Sequence, residues 1–201
     1  MKKLGRVVLG VLFFAGLFAI SAVDSSAVVV DLYQITSNSG STYNFSVNVT
    51  DAGGGQVSFV FSNTSPGAIS EVYFDSYGTA LTSWASWAGT TGVVEFSSPA
   101  TPANLPAGNN LSPPFVADFS FGATSSANRV DNGETLGIVF NGSYSSVISG
   151  LSDGQFRIGE HVQSLANGQS ESFATPIPAS LLLFGSGLVG LVGIGRWKIR
   201  K

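Results

Sequence analysis

The chain has 201 residues, one histidine, no cysteine and a formal charge of −3. Seven of its nine basic residues lie at positions 2, 3, 6, 196, 198, 200 and 201, so the stretch from Val28 to Thr175 sets eleven acids against Arg129 and Arg157, a formal −9 without a lysine. This balance excludes nucleic acid as a partner, since a phosphate backbone needs a basic face, and the missing cysteine excludes both a disulfide framework and a thiol nucleophile.

At the N-terminus, Lys2, Lys3 and Arg6 precede an uncharged apolar run, Val7 to Ile20, and then small residues. That order is the pattern of a secretory signal peptide, and the 14-residue run is too short for a comfortable membrane span. Cleavage is expected after Ala22 or Ala27, which makes residues 1–27 a leader and the Sec machinery and signal peptidase its partners.

From Val28 the text turns into short β-branched and aromatic runs punctuated by Gly, Ser, Asn and Pro. Val28 to Ile35 opens the series. Tyr43, Phe45, Val47 and Val49 then alternate with polar residues, as do Val57, Phe59 and Phe61 after the turn Asp51-Ala52-Gly53-Gly54-Gly55, so these two runs predict a hairpin. Further strands are predicted at 69–74, 93–96, 115–121, 136–140, 144–148 and 155–158, with no capped helical period among them. Residues 97–114 hold five prolines and read as a long connection crossing between sheets. The expectation is an all-β domain over 28–174, an antiparallel sandwich or jelly-roll.

The C-terminus closes on a second apolar run, Ala179 to Gly195, followed by Arg196, Lys198, Arg200 and Lys201. Seventeen residues rise about 26 Å as a helix, so the run reads as a short transmembrane helix. Its cations stay on the cytoplasmic side, and everything between the apolar runs is then outside.

Few constellations carry chemistry. A Ser-His-Asp relay would have to use His161, and no serine stands in a GxSxG elbow. Glu71 with Asp75, or Asp131 with Glu134, are the nearest acid pairs for glycoside hydrolysis. Asp131, Glu134 and Asp153 lie in turns of the kind that offer oxygens to calcium, the one cofactor the acids suggest. Trp84 and Trp87 form the one aromatic cluster able to stack on sugar rings. Four Asn-x-Ser/Thr triplets, at Asn44, Asn48, Asn63 and Asn141, are what chance gives in so polar a chain.

The tail from Thr175 to Leu191, TPIPASLLLFGSGLVGL, with its basic end, resembles the PEP-CTERM sorting signal: a Pro-x-Pro motif, a Gly-rich span and terminal cations in that order over residues 175–201. It departs from the family where Ile177 stands in place of the name-giving Glu. The resemblance implies recognition by an exosortase, a membrane-embedded protease, at Pro176, Ile177 and Pro178. It further implies passage from the inner membrane to the surface or exopolysaccharide matrix of a Gram-negative bacterium. Phrases such as EVYFD at 71–75 and NGETLGI at 132–138 are similar to those of proteins bearing this tail, and they bring no activity with them. The expectation is a structural or adhesive surface protein and not an enzyme; a carbohydrate-binding module using Trp84 and Trp87 is the first alternative and an extracellular glycoside hydrolase the second.

Overall fold

The structure, a computed structural model, describes residues 27–76 and 80–176. Nearly all of the expected leader, the helix over 179–195, Ile177, Pro178 and the four terminal cations lie outside the described residues. Among those described, no helix is long and apolar enough to cross a membrane.

Ten strands form the domain: β1 (Ala27–Gln34), β2 (Phe45–Gly53), β3 (Gln56–Ser62), β4 (Ala68–Asp75), β5 (Leu81–Trp87), β6 (Phe96–Ser97), β7 (Phe119–Ala123), β8 (Thr135–Gly142), β9 (Arg157–Gln163) and β10 (Glu171–Ala174). They hydrogen-bond in the order β5-β8-β3-β2-β1-β10-β9-β4-β7-β6, antiparallel throughout. The all-β expectation holds, but as one curled sheet. Its continuity rests on β1, which pairs with β2 through residues 27–32 and then with β10 through Tyr33 and Gln34.

The sheet folds so that its two halves face each other. Phe59 and Phe140 of one half pack edge-on against Phe74 of the other at 5.0 and 4.9 Å between ring centres, and Phe45 meets Phe173 at 4.7 Å. The alternation that predicts the β2–β3 hairpin is the physical source of this core: Phe45, Val47, Val49, Val57, Phe59 and Phe61 are all buried, and the polar residues between them face outward.

Two predicted strands shrink, since only Phe96 of 93–96 and only 119–121 of 115–121 lie in strands, and three further expectations are corrected. Residues 144–148 are not a strand; they open the helix α1 (Tyr144–Asp153), which Ser143 caps by accepting a hydrogen bond from the Ser146 amide at 3.3 Å and which Gly154 ends at φ 77°. The helix covers one end of the core, where Val147 is buried. Second, β5 was not expected, because two bulges, at Leu81/Ser83 and Trp84/Ser86, break its alternation. Third, the proline-rich connection does not cross between layers. It joins β6 to β7 within one half and lies as a strap over the outer face of that half.

Under the strap, Ala100, Leu105 and Phe115 pack on Tyr73 and Ala174 in a second small core. β4, covered on both faces, is buried along its whole length. Polar groups pin the strap down. The Tyr73 hydroxyl donates to Pro102 O at 3.1 Å, and Arg157 donates to Pro113 O and Pro114 O at 2.7 and 2.6 Å while pairing with Asp75. The same carboxylate accepts from the Val116 amide at 3.1 Å. Arg157 and Asp75 are almost fully enclosed, so removing one leaves the other as an uncompensated buried charge. Asp75→Ala is expected to cost about 3–5 kcal/mol in denaturant unfolding and to expose residues 98–114 to limited proteolysis; an unchanged midpoint and cleavage pattern would show that the pair does not hold the strap.

Candidate functional site

The outer face of the β10-β9-β4-β7 half brings several of the sequence candidates together. Register places Glu71 of β4 beside His161 of β9, and His161 beside Ser172 of β10, so the three form one rung across adjacent strands. His161 Nδ1 and Glu71 Oε2 are 2.7 Å apart, with both side chains 12% exposed. That is an acid and an imidazole in the relation a relay uses. The third link is missing, because no hydrogen bond joins Ser172 to His161.

The acid pairs are dispersed into structural bonds. Glu71 is held by His161 and Asp75 by Arg157, so neither carboxylate of that pair stands opposite the other. Glu134 accepts from the amides of Val93 at 3.0 Å and Asp131 at 2.9 Å, closing a turn, and Asp153 accepts from the Gln155 amide at 3.0 Å just beyond α1. Among the described residues no three His, Cys, Asp or Glu groups converge as a metal site would require, and the calcium candidates Asp131, Glu134 and Asp153 are not brought together. Asn63 is likewise structural: its amide donates to Gly67 O and Val130 O at 2.6 and 2.9 Å.

Two glutamates show what surroundings do to one side-chain type. Burial pushes Glu171 up, but donors from Thr36, Ser39 and Asn38 outweigh it and hold the carboxyl below its usual range. Glu160 has no such donors. In β9 it shares the inward phase with Ile158 and Val162, its cross-strand neighbours are Val72 and Phe173, and both carboxyl oxygens are enclosed without a hydrogen-bond partner. Desolvation therefore pushes its pKa well above the carboxylate range. Sequence inspection treats it as one more surface acid, although its position in the apolar phase of RIGEHVQ is the signal that marks it.

Trp84 and Trp87 lie on the edge strand β5. The bulge between Trp84 and Ser86 places them opposite Phe140 and Ile138, with ring centres 5.4 Å apart and planes at 54°. Trp87 also meets Phe121 of the opposite half edge-on at 5.4 Å, so the pair helps close the seam between layers. Exposure of 44% and 38% leaves each ring partly open. The tilt rules out one flat platform, and a sugar can stack on one ring at a time.

A cleft of about 720 Å³ lies where β1 changes partner, between its end and the connection 35–44. Tyr33, 59% exposed, and Asp31 are on the outward phase of β1 at its wall, with Thr42 and Asn44 on the opposite strand of chain. Gln34 braces the connection, donating to Ser41 O and accepting from the Tyr43 amide, both at 3.2 Å. Nothing in the sequence signals this cleft, because residues 36–42, TSNSGST, read as an ordinary turn between two strands.

The free Glu160 carboxyl gives a test. With its folded-state pKa above the unfolded one, the folded form holds one more proton between the two values. The stability that Glu160 contributes is thus full below about pH 4.3 and is lost as pH rises toward its folded-state pKa, with a limiting slope of about 1.4 kcal/mol per unit. Denaturant unfolding from pH 5 to 8 is expected to show this decline and Glu160→Met to remove it; a parallel decline in the variant would place the titration elsewhere.

No family model matches the chain, and no curated protein matches it. A solved structure from work on pH-induced modulation of Streptococcus parasanguinis adhesion by Fap1 fimbriae aligns at 10% identity over 76% of this chain and 96% of that one, with a TM-score of 0.35, a likeness too slight to carry an argument.

Proposed function

We propose that the protein is an exported surface or matrix protein of structural or adhesive type, and not an enzyme, sorted to the outside of a Gram-negative cell by an exosortase-type protease acting on its C-terminal tail. The observation that carries this reading is the junction between domain and tail. Among the described residues Thr175 is the last to bond into the fold: its amide donates to Ile158 O at 2.9 Å and its hydroxyl accepts from the Ile158 amide at 3.2 Å. Pro176 follows, exposed and without an N–H to extend the pairing. The first proline of the Pro-x-Pro motif thus stands exposed just after the last strand of the described chain, where a protease can reach it.

The domain itself suits display. Its polar side chains on the strap-covered face are spent on one another, and its net negative charge keeps it soluble and free of nucleic acid. Exopolysaccharide is the partner the sorting route implies. Glycan binding through Trp84 or Trp87 is a second reading, favoured by their partial exposure, and predicts that a bound oligosaccharide shields at least one of the two indoles from acrylamide quenching.

In the native host, the mature wild-type protein is expected at the surface or in the matrix with both apolar ends removed. The Pro176→Ala, Pro178→Ala double variant is expected to stay in the inner membrane at higher mass. If both forms keep the C-terminal run and remain in the membrane, the tail is a plain anchor.

A further inference from the structure

We propose that the cleft between the end of β1 and the 35–44 connection is a binding site for a neutral, hexose-based glycan, with Tyr33 as the stacking ring and Asp31 and Asn44 as the hydroxyl partners. The proposal deepens the adhesive part of the reading above and rests on it, but its site is separate from the tryptophans.

The polar side chains lining the cleft fall into two groups. Gln34 and Thr36 are used up: Gln34 ties Ser41 and Tyr43, and Thr36 bonds Glu171, which also holds the Ser39 amide. These bonds fix the connection in place before any ligand arrives, which lowers the ordering cost of binding. The side chains of Asp31, Tyr33, Thr42 and Asn44 make no hydrogen bond among the described residues, and Asp31, Tyr33, Thr42 and Asn44 are all exposed. A braced wall thus carries a set of unused polar heads.

Their chemistry selects the ligand. A sugar ring presents an apolar C–H face and a rim of hydroxyls. Tyr33 offers a π face more than half open to solvent, a carboxylate accepts from hydroxyl donors, and an amide does both. Register puts Tyr33 and Asp31 on one face of β1, two residues apart, so ring and carboxylate act on the same side. The cleft volume falls within the range of about 300–1,000 Å³ typical of small-ligand sites. Asp31, in a domain of strongly negative charge, repels uronate or sulfated chains and restricts the ligand to neutral glycans.

The test is calorimetric titration of the full chain, held in a zwitterionic detergent without a sugar headgroup, with neutral tetrasaccharides of glucose, mannose and galactose and with tetragalacturonate as the acidic probe. At least one neutral tetrasaccharide is expected to bind. Tyr33→Ala and Asp31→Asn, at exposed positions that leave the core intact, are each expected to weaken it about tenfold, while Trp84→Ala, Trp87→Ala leaves it unchanged and tetragalacturonate does not bind. The proposal is overturned if no neutral probe binds at millimolar concentration, if binding survives both Tyr33→Ala and Asp31→Asn, if it is lost with the tryptophans instead, or if the acidic probe binds as well. None of these results depends on the fate of the sorting tail, which the Pro176 and Pro178 variants read separately.

Discussion

β1 belongs to both layers, and the rest of the architecture follows from that sharing. Its first six residues complete the β5-β8-β3-β2 half, and its last two begin the β10-β9-β4-β7-β6 half, so the sheet must curl about this strand for Phe59 and Phe140 to meet Phe74. Once the halves close, the apolar phases of β2, β3, β8, β4 and β9 have a common interior, and each outer face needs its own solution. The half containing β4 and β9 takes a cover, the proline-rich strap. The half containing β2 and β3 turns half-buried hydroxyls outward, among them Ser46 and Ser58.

Burial of charge follows the same division. Outside the closed layers, Asp75 finds Arg157, Glu71 finds His161, and Glu171 finds hydroxyl and amide donors from the 36–39 turn. Inside, Glu160 finds none. Replacing it with an apolar residue would satisfy every packing rule that its neighbours Ile158 and Val162 obey. The domain is therefore built with one acid whose ionisation and whose native environment oppose each other.

How much of this was legible in the sequence depends on whether one physical pattern acted alone. Where alternation decides, as in Phe45 to Val49 and Val57 to Phe61, strand and core face are both readable. Where a bulge intervenes, as between Trp84 and Ser86, the period is lost and β5 disappears from view. α1 was hidden for another reason. Tyr144, Val147, Ile148 and Leu151 do follow a helical period after the Ser143 cap, but the serines and β-branched residues among them favour a strand reading. The strap could be recognised as irregular from its prolines, yet what it covers depends on Tyr73 and Arg157, which are distant in sequence. The Tyr33 cleft is similar: its walls are local, but its openness comes from the change of partner in β1, a tertiary event that no local window reports.

The place of β10 has a consequence for the order in which the domain can be made. Only four residues long, it sits between β1, the first strand of the described chain, and β9, and it is itself the last. Until it is delivered, the sheet has a missing stave, with the end of β1 and the edge of β9 both unpaired and the Phe45–Phe173 contact unmade. Closure therefore couples the two ends of the domain across almost its entire length. A partly delivered chain holds two open edges throughout its emergence, and only the complete one can shut them against chaperones, proteases and other copies of itself.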